Sequence, residues 1–194
     1  ERGIPVEVVD SRTVAGALGY AVAVAGASLA AGASMAGAVA GARECAATSR
    51  VHMSVADLRH LQRGGRLRVP QLAIGTALGI RPILEVRHGE IRVRESVRGS
   101  ARARQRLVDL ALRAAGAPKD GPREPRSRVS FAVHHVDSPE AAQTVADMLG
   151  RAAAEADLGV DRLDVTPMAG VLAVHAGPGA LAVATARTHG LIHS

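Results

Sequence analysis

Pro82-Ile83-Leu84-Glu85-Val86 and Ile91-Arg92-Val93-Arg94-Glu95-Ser96-Val97 stand on either side of Arg87-His88-Gly89-Glu90. Apolar and polar side chains alternate on both flanks, the period of a strand with one buried face. The glycine in the short connection supplies a turn conformation that other residues avoid. The stretch therefore reads as a β-hairpin, and a hairpin builds an antiparallel sheet.

Upstream of the hairpin, residues 51–55 read as a short strand. Asp57 is placed to cap a helix through Leu58-Arg59-His60-Leu61, which stops at Gly64-Gly65. Residues 70–79 form a second apolar segment of helical character. Downstream, residues 100–115 form an amphipathic helix with Leu107, Leu110 and Leu112 on its apolar side. The Pro-, Gly- and charge-rich stretch 116–128 reads as a surface loop and 129–136 as a strand. Ser138-Pro139-Glu140 opens a helix to about residue 156, with Ser as cap and Pro in the first turn. Strands are expected at 162–165, 171–175 and 180–186, the last two separated by a sharp turn at Gly177-Pro178-Gly179. The order implies an α/β protein whose main part is α+β: a largely antiparallel sheet packed with helices.

Residues 14–42 carry no charge, long enough to test as a membrane span. The stretch is rich in Ala and Gly, so its drive to insert is weak. Gly32-Ala33-Ser34 divides it, with Gly ending one helix and Ser34 capping the next. Two buried Ala-rich helices are expected, with no stable membrane insertion. Val6-Glu7-Val8-Val9-Asp10 reads as a strand, which needs sheet partners.

Of the 194 residues, 47% are hydrophobic and 22% charged, the profile of a globular protein. Tyr20 and Phe131 are the only aromatics and Lys119 the only lysine. A net charge of +6 raises nucleic acid as a partner. Single-strand binders stack bases on aromatic rings, which are nearly lacking here, and the Arg residues alternate with Asp and Glu. No nucleic-acid partner is expected. Cys45 is the only cysteine, so an intramolecular disulfide is ruled out and a reducing, cytoplasmic setting fits. No basic region leads into a short apolar core at the N-terminus.

Few residues suggest chemistry. His134 and His135 would point to opposite faces of a strand and so cannot grip one ion. His189 and His193 have helical spacing, but Gly190 stands between them. No metal site is expected. Nothing marks one Ser as activated and no phosphate loop of the Walker type exists, so no catalytic residue is assigned. Gly64-Gly65 with Arg63 and Arg66 is either an anion-binding turn or a helix end with exposed Arg. His175 ends an apolar segment just before Gly177-Pro178-Gly179; it either reaches into a cleft or is a structural, hydrogen-bonded histidine.

Five segments, in this order, resemble the DegV family. They are Val8-Val9-Asp10-Ser11-Arg12; Asp57-Leu58-Arg59-His60-Leu61-Gln62-Arg63-Gly64-Gly65-Arg66; Ile80-Arg81-Pro82-Ile83-Leu84 leading to His88-Gly89-Glu90-Ile91; Ser96-Val97-Arg98-Gly99; and His175-Ala176-Gly177-Pro178-Gly179-Ala180-Leu181. Arg81 stands where the family usually has Lys, and Ala or Val where it has aromatics. The resemblance implies a bacterial two-domain protein that buries a long-chain fatty acid and needs no cofactor. Such proteins present the acyl carboxylate to a separate, ATP-using fatty acid kinase subunit for phospholipid metabolism, without catalysis of their own. It further implies His175, Gly177, Gly179 and Arg98 at the fatty acid and Arg66, Gly64 and Gly65 in docking on the kinase. Residues 1–49 are expected to be the end of an N-terminal α/β domain, whose Thr-x-Ser motif lies upstream, and residues 50–194 the C-terminal lipid-binding domain. The rivals are a small α/β enzyme with His175 as general base and an Arg-rich nucleic-acid module. Copurifying fatty acid would favour the carrier, and steeply salt-dependent binding to DNA or RNA the last rival.

Overall fold

In the computed structural model, which describes residues 4–67, 79–116 and 128–188, the hairpin forms where alternation places it. It consists of β2 (Ile80–Arg87) and β3 (Glu90–Arg98). Arg87 pairs with Glu90, which leaves a two-residue turn of His88 (φ 53°) and Gly89 (φ 82°). Two positive φ values make the mirror-image turn whose twist matches that of the strands.

The chain begins with α1 (Ala15–Ala30) and α2 (Met35–Thr48), joined at Gly32-Ala33-Ser34. Gly32 takes φ 87°, and Ser34 Oγ accepts the Gly37 N–H at 3.2 Å. β1 (Arg50–Ser54) and α3 (Arg59–Arg63) precede the hairpin, and α4 (Ser100–Ala114) follows it. Then come β4 (Arg128–His135), α5 (Pro139–Glu155), β5 (Gly159–Pro167), α6 (Gly170–Ala176) and β6 (Leu181–Arg187). The strands form one sheet in the order β3-β2-β1-β6-β4-β5. All neighbours are antiparallel except β4 and β5, which are linked by the crossover through α5.

Alternation gives the sheet two different faces. On one, Phe131, Val133, Leu181 and Val183 pack with Leu107 and Val108 of α4 and Val145 and Leu149 of α5. On the other, Val51, Met53, Ala132, Ala182 and Ala184 meet α1, α2, α3 and α6. Tyr20 fixes α1 to this second face, its hydroxyl lying 2.6 Å from the Phe131 carbonyl and 2.9 Å from Asp164. Burial and the neighbouring carboxylate push the Tyr20 phenol well above its ordinary range, so it stays a donor.

Three expectations need correction. Residues 6–10 form no strand: no strand pairs with them among the described residues, and Val6 and Val8 are more than four-fifths exposed. Residues 171–175 are helical, not extended. Val171 and Val174 are three apart on the exposed side of α6, and five residues are too few to separate the two periods. His175 thus stands in the last turn of a helix. Ser138 precedes α5 but its hydroxyl makes no cap; its N–H instead donates to His135 Nδ1 at 3.2 Å. The apolar segment 70–79 lies, but for Gly79, outside the described residues, as do residues 117–127 of the expected loop and His189 and His193. Among the described residues no helix is long and apolar enough to cross a membrane.

Candidate functional site

α3 ends in the way its Gly-Gly pair foretells. Gly65, at φ 69°, donates to the Gln62 carbonyl, and the Arg66 N–H returns to the Leu61 carbonyl, both at 2.9 Å. This paired closure satisfies carbonyls that a helix end would otherwise leave open. It leaves Arg66 exposed, with its guanidinium on the Gly64 carbonyl at 2.7 Å. α6 ends at Gly177, whose φ of 78° starts the turn through Gly179 (φ 72°).

The two ends lie against each other. A Cβ on Gly64 would overlap Nδ1 of His175 and lie 2.6 Å from its Cε1; a Cβ on Gly177 would lie 2.6 Å from Cδ2 of His60. Each imidazole occupies the space that a side chain on the facing glycine would need. Residues 57–66 and 175–181, distant in sequence, are one structural unit.

That unit forms one side of a cavity of about 860 Å³ over the second face of the sheet. Its apolar lining includes Val51, Met53, Val86, Ala182, Leu61 and Leu172. Polar groups join from Asp10, Ser11, Arg12, Arg66, Glu90, His134 and His175. The segment leading into α1 walls another side and is pinned at two points. The Arg12 carbonyl accepts the Gly89 N–H at 2.8 Å, and His134 Nε2 accepts the Gly16 N–H at 3.0 Å. His134 replaces the cap that Val14 cannot supply. Because its Nε2 accepts, Nδ1 carries the proton and faces Thr166 Oγ1 at 2.8 Å. Burial lowers the His134 pKa and favours this neutral form.

Of the residues singled out from sequence, His175, Gly65 and Arg66 line the cavity. Gly64 lies beneath the His175 ring, and Gly177 beneath His60. Gly179 serves the turn, donating to the Val136 carbonyl at 3.0 Å. Arg98 is elsewhere: it is exposed at the end of β3, the sheet's edge, and does not line the cavity. Two residues escaped the sequence reading. The sequence marks His134 only as a candidate metal ligand, on the strand face opposite His135. His60 was read only as part of a helix. Among the described residues no group of three or more His, Cys, Asp or Glu side chains is arranged to hold a metal ion.

A family model described as "Uncharacterised protein, DegV family" matches residues 1–188. The chain belongs to the DegV family. A DegV domain-containing protein of Streptomyces coelicolor is 36% identical over 184 residues, 94% of this chain and 60% of that protein. A DegV domain-containing protein of Mycobacterium tuberculosis is 37% identical over 185 residues, 94% and 61% of the two chains. The chain therefore spans about three-fifths of the length of these relatives. Among solved structures, a DegV family protein from Thermus thermophilus described for its fatty acid binding superposes with a TM-score of 0.79 at 25% identity. It covers 93% of this chain, which in turn covers 60% of it. A fatty acid binding DegV family protein from Streptococcus agalactiae gives 0.75 at 26%, with 93% and 59% covered. The mixed α/β architecture is thus that of DegV structures.

Proposed function

We propose that this chain binds a long-chain fatty acid, its acyl chain in the cavity over the second face of the sheet and its carboxylate near His175. The observation that carries the reading is the lining: an apolar floor with His175 on one wall and Arg12 and His134 on another. The volume, about 860 Å³, falls in the range of roughly 300–1,000 Å³ usual for small-molecule sites. Each buried methylene contributes about 0.8 kcal/mol. The carboxylate needs placed donors, since burying it unpaired is costly. His175 makes no hydrogen bond to the described residues, so its ring is available to donate; Arg12 lines the same cavity, as do the carboxylates of Asp10 and Glu90. Residues 1–49, taken as the end of one domain, contribute the segment before α1, and residues 50–194 the rest. Fatty acid binding by the Thermus and Streptococcus proteins supports the reading.

The finer proposal is presentation of the carboxylate to a separate, ATP-using kinase subunit, with the exposed Arg66 turn as docking element. Arg66→Ala should slow phosphorylation of the bound lipid, measured with the purified kinase, far more than it weakens fatty acid binding. Phosphorylation at the wild-type rate would contradict the docking role.

The carrier reading is tested by mass spectrometry of an organic extract of the purified protein, with palmitate and oleate titrated into delipidated protein. A stoichiometric long-chain fatty acid is expected. His175→Ala should retain roughly tenfold less, as loss of one hydrogen bond to a charged group implies, with its unfolding midpoint unchanged. A protein that carries no lipid and binds neither acid would overturn the reading.

A further inference from the structure

We propose that His60 is a positioning residue for His175, acting through a reciprocal clasp between α3 and α6. The inference deepens the fatty-acid reading of the cavity and rests on it only for its consequence for binding.

His175 lines the cavity, yet no described residue hydrogen-bonds its ring. Something other than a hydrogen bond must hold that ring in place. The Nδ1–Cε1 edge rests on Gly64, in the space that any side chain there would fill. Gly64 has φ −77°, a value open to every residue, so the demand for glycine comes from the imidazole and not from the backbone. The opposite contact is made by His60, which belongs to α3 and lies over Gly177 immediately after α6. Here the backbone demands glycine as well, since Gly177 has φ 78°.

The two contacts run in opposite directions between the same two short helices. His175 reaches from α6 to the end of α3, and His60 from α3 to the end of α6. Neither helix can slide or turn without lifting one ring off its glycine. α6 has only seven residues and exposes Val171 and Val174, so its own burial holds it weakly. The His60 contact is therefore a side-chain restraint on the helix end that carries His175, beside the backbone bond of Gly179 to Val136. His60 does not line the cavity.

The test uses the whole chain, selectively labelled at histidine ring carbons and nitrogens, with cis-parinaric acid as the fluorescent fatty-acid probe. His60→Ala should shift the His175 ring resonances and weaken probe binding about fivefold to tenfold, somewhat less than loss of a direct contact. His60→Phe, which restores a flat ring over Gly177, should recover both. Gly64→Ala, which keeps both histidines in the sequence, should displace the His175 ring and weaken binding at least as much. The double variant His60→Ala/His175→Ala should bind the probe no more weakly than His175→Ala alone, since His60 acts only through His175. His175 resonances unchanged in a folded His60→Ala protein, or additive losses in the double variant, would overturn the proposal. The resonance measurement needs no lipid. A wild-type chain that binds no probe would refute the carrier reading, while the ring shifts would still decide the clasp.

Discussion

Strands β4 and β6 present different chemistry to the two sides of the sheet. Toward α4 and α5 they offer Phe131, Val133, Leu181 and Val183; toward α1, α3 and α6 they offer Ala132, His134, Ala182 and Ala184. The first set is large and closes its layer, with Phe131, Val133 and Val183 fully buried. The second is small or polar, and a cavity stands over part of it. One pair of strands thus builds a face for stability and a face for a ligand, because alternation lets each be chosen separately.

The largest effect is expected on the closed face. Phe131→Ala should cost about 3–5 kcal/mol, read from urea denaturation, because the void left by a buried ring collapses only in part. A loss below 1 kcal/mol would mean that this face is not close-packed.

Acid should sharpen the same contrast. His52 lies on the closed face, 3% exposed, with Nε2 3.8 Å from Glu85 and no partner for Nδ1 among the described residues. Burial outweighs the attraction of Glu85, helped by the Arg50, Arg94 and Arg106 charges, and lowers its pKa from 6.5 to about 4. The contact is therefore one of a neutral ring at pH 7. The unfolded chain takes up this proton near pH 6.5 while the folded chain refuses it until about 4, so stability is intact above 6.5 and declines as pH falls through that window. The shift corresponds to about 3 kcal/mol. His134 acts in the same direction. Denaturation at pH 7, 5.5 and 4.5 should show the decline, and His52→Leu should flatten it. An unaltered slope in that variant would remove His52 as the cause.

Much of this was legible in the sequence where a pattern repeats long enough to fix its period. The hairpin had two alternating flanks, and the helix pair had an uncharged run broken at Gly32-Ala33-Ser34. The short α6 gave five apolar-rich residues that satisfy both periods, and residues 6–10 carried a strand pattern without a partner to pair with. The site was half legible. Gly64-Gly65 and Gly177-Pro178-Gly179 announced turns, but nothing in either segment says that each supplies the space for the other's histidine. Alternation sets His134 on the face opposite His135, but which face bears the cavity, and the role of His134 as cap for α1, depend on contacts distant in sequence, the latter across 118 residues.

The smallest effect on stability, and the most direct test of the ligand face, comes from Ala182→Leu. Ala182 lines the cavity, so the larger side chain has room and should change stability by less than about 1 kcal/mol. Titration of the delipidated wild-type and variant chains with cis-parinaric acid decides the matter. Saturable one-to-one binding by the wild type, lost or strongly weakened in Ala182→Leu at an unchanged unfolding midpoint, is the predicted result. No binding by the wild type, or equal binding by a folded variant, would contradict the assignment of this face to a fatty acid.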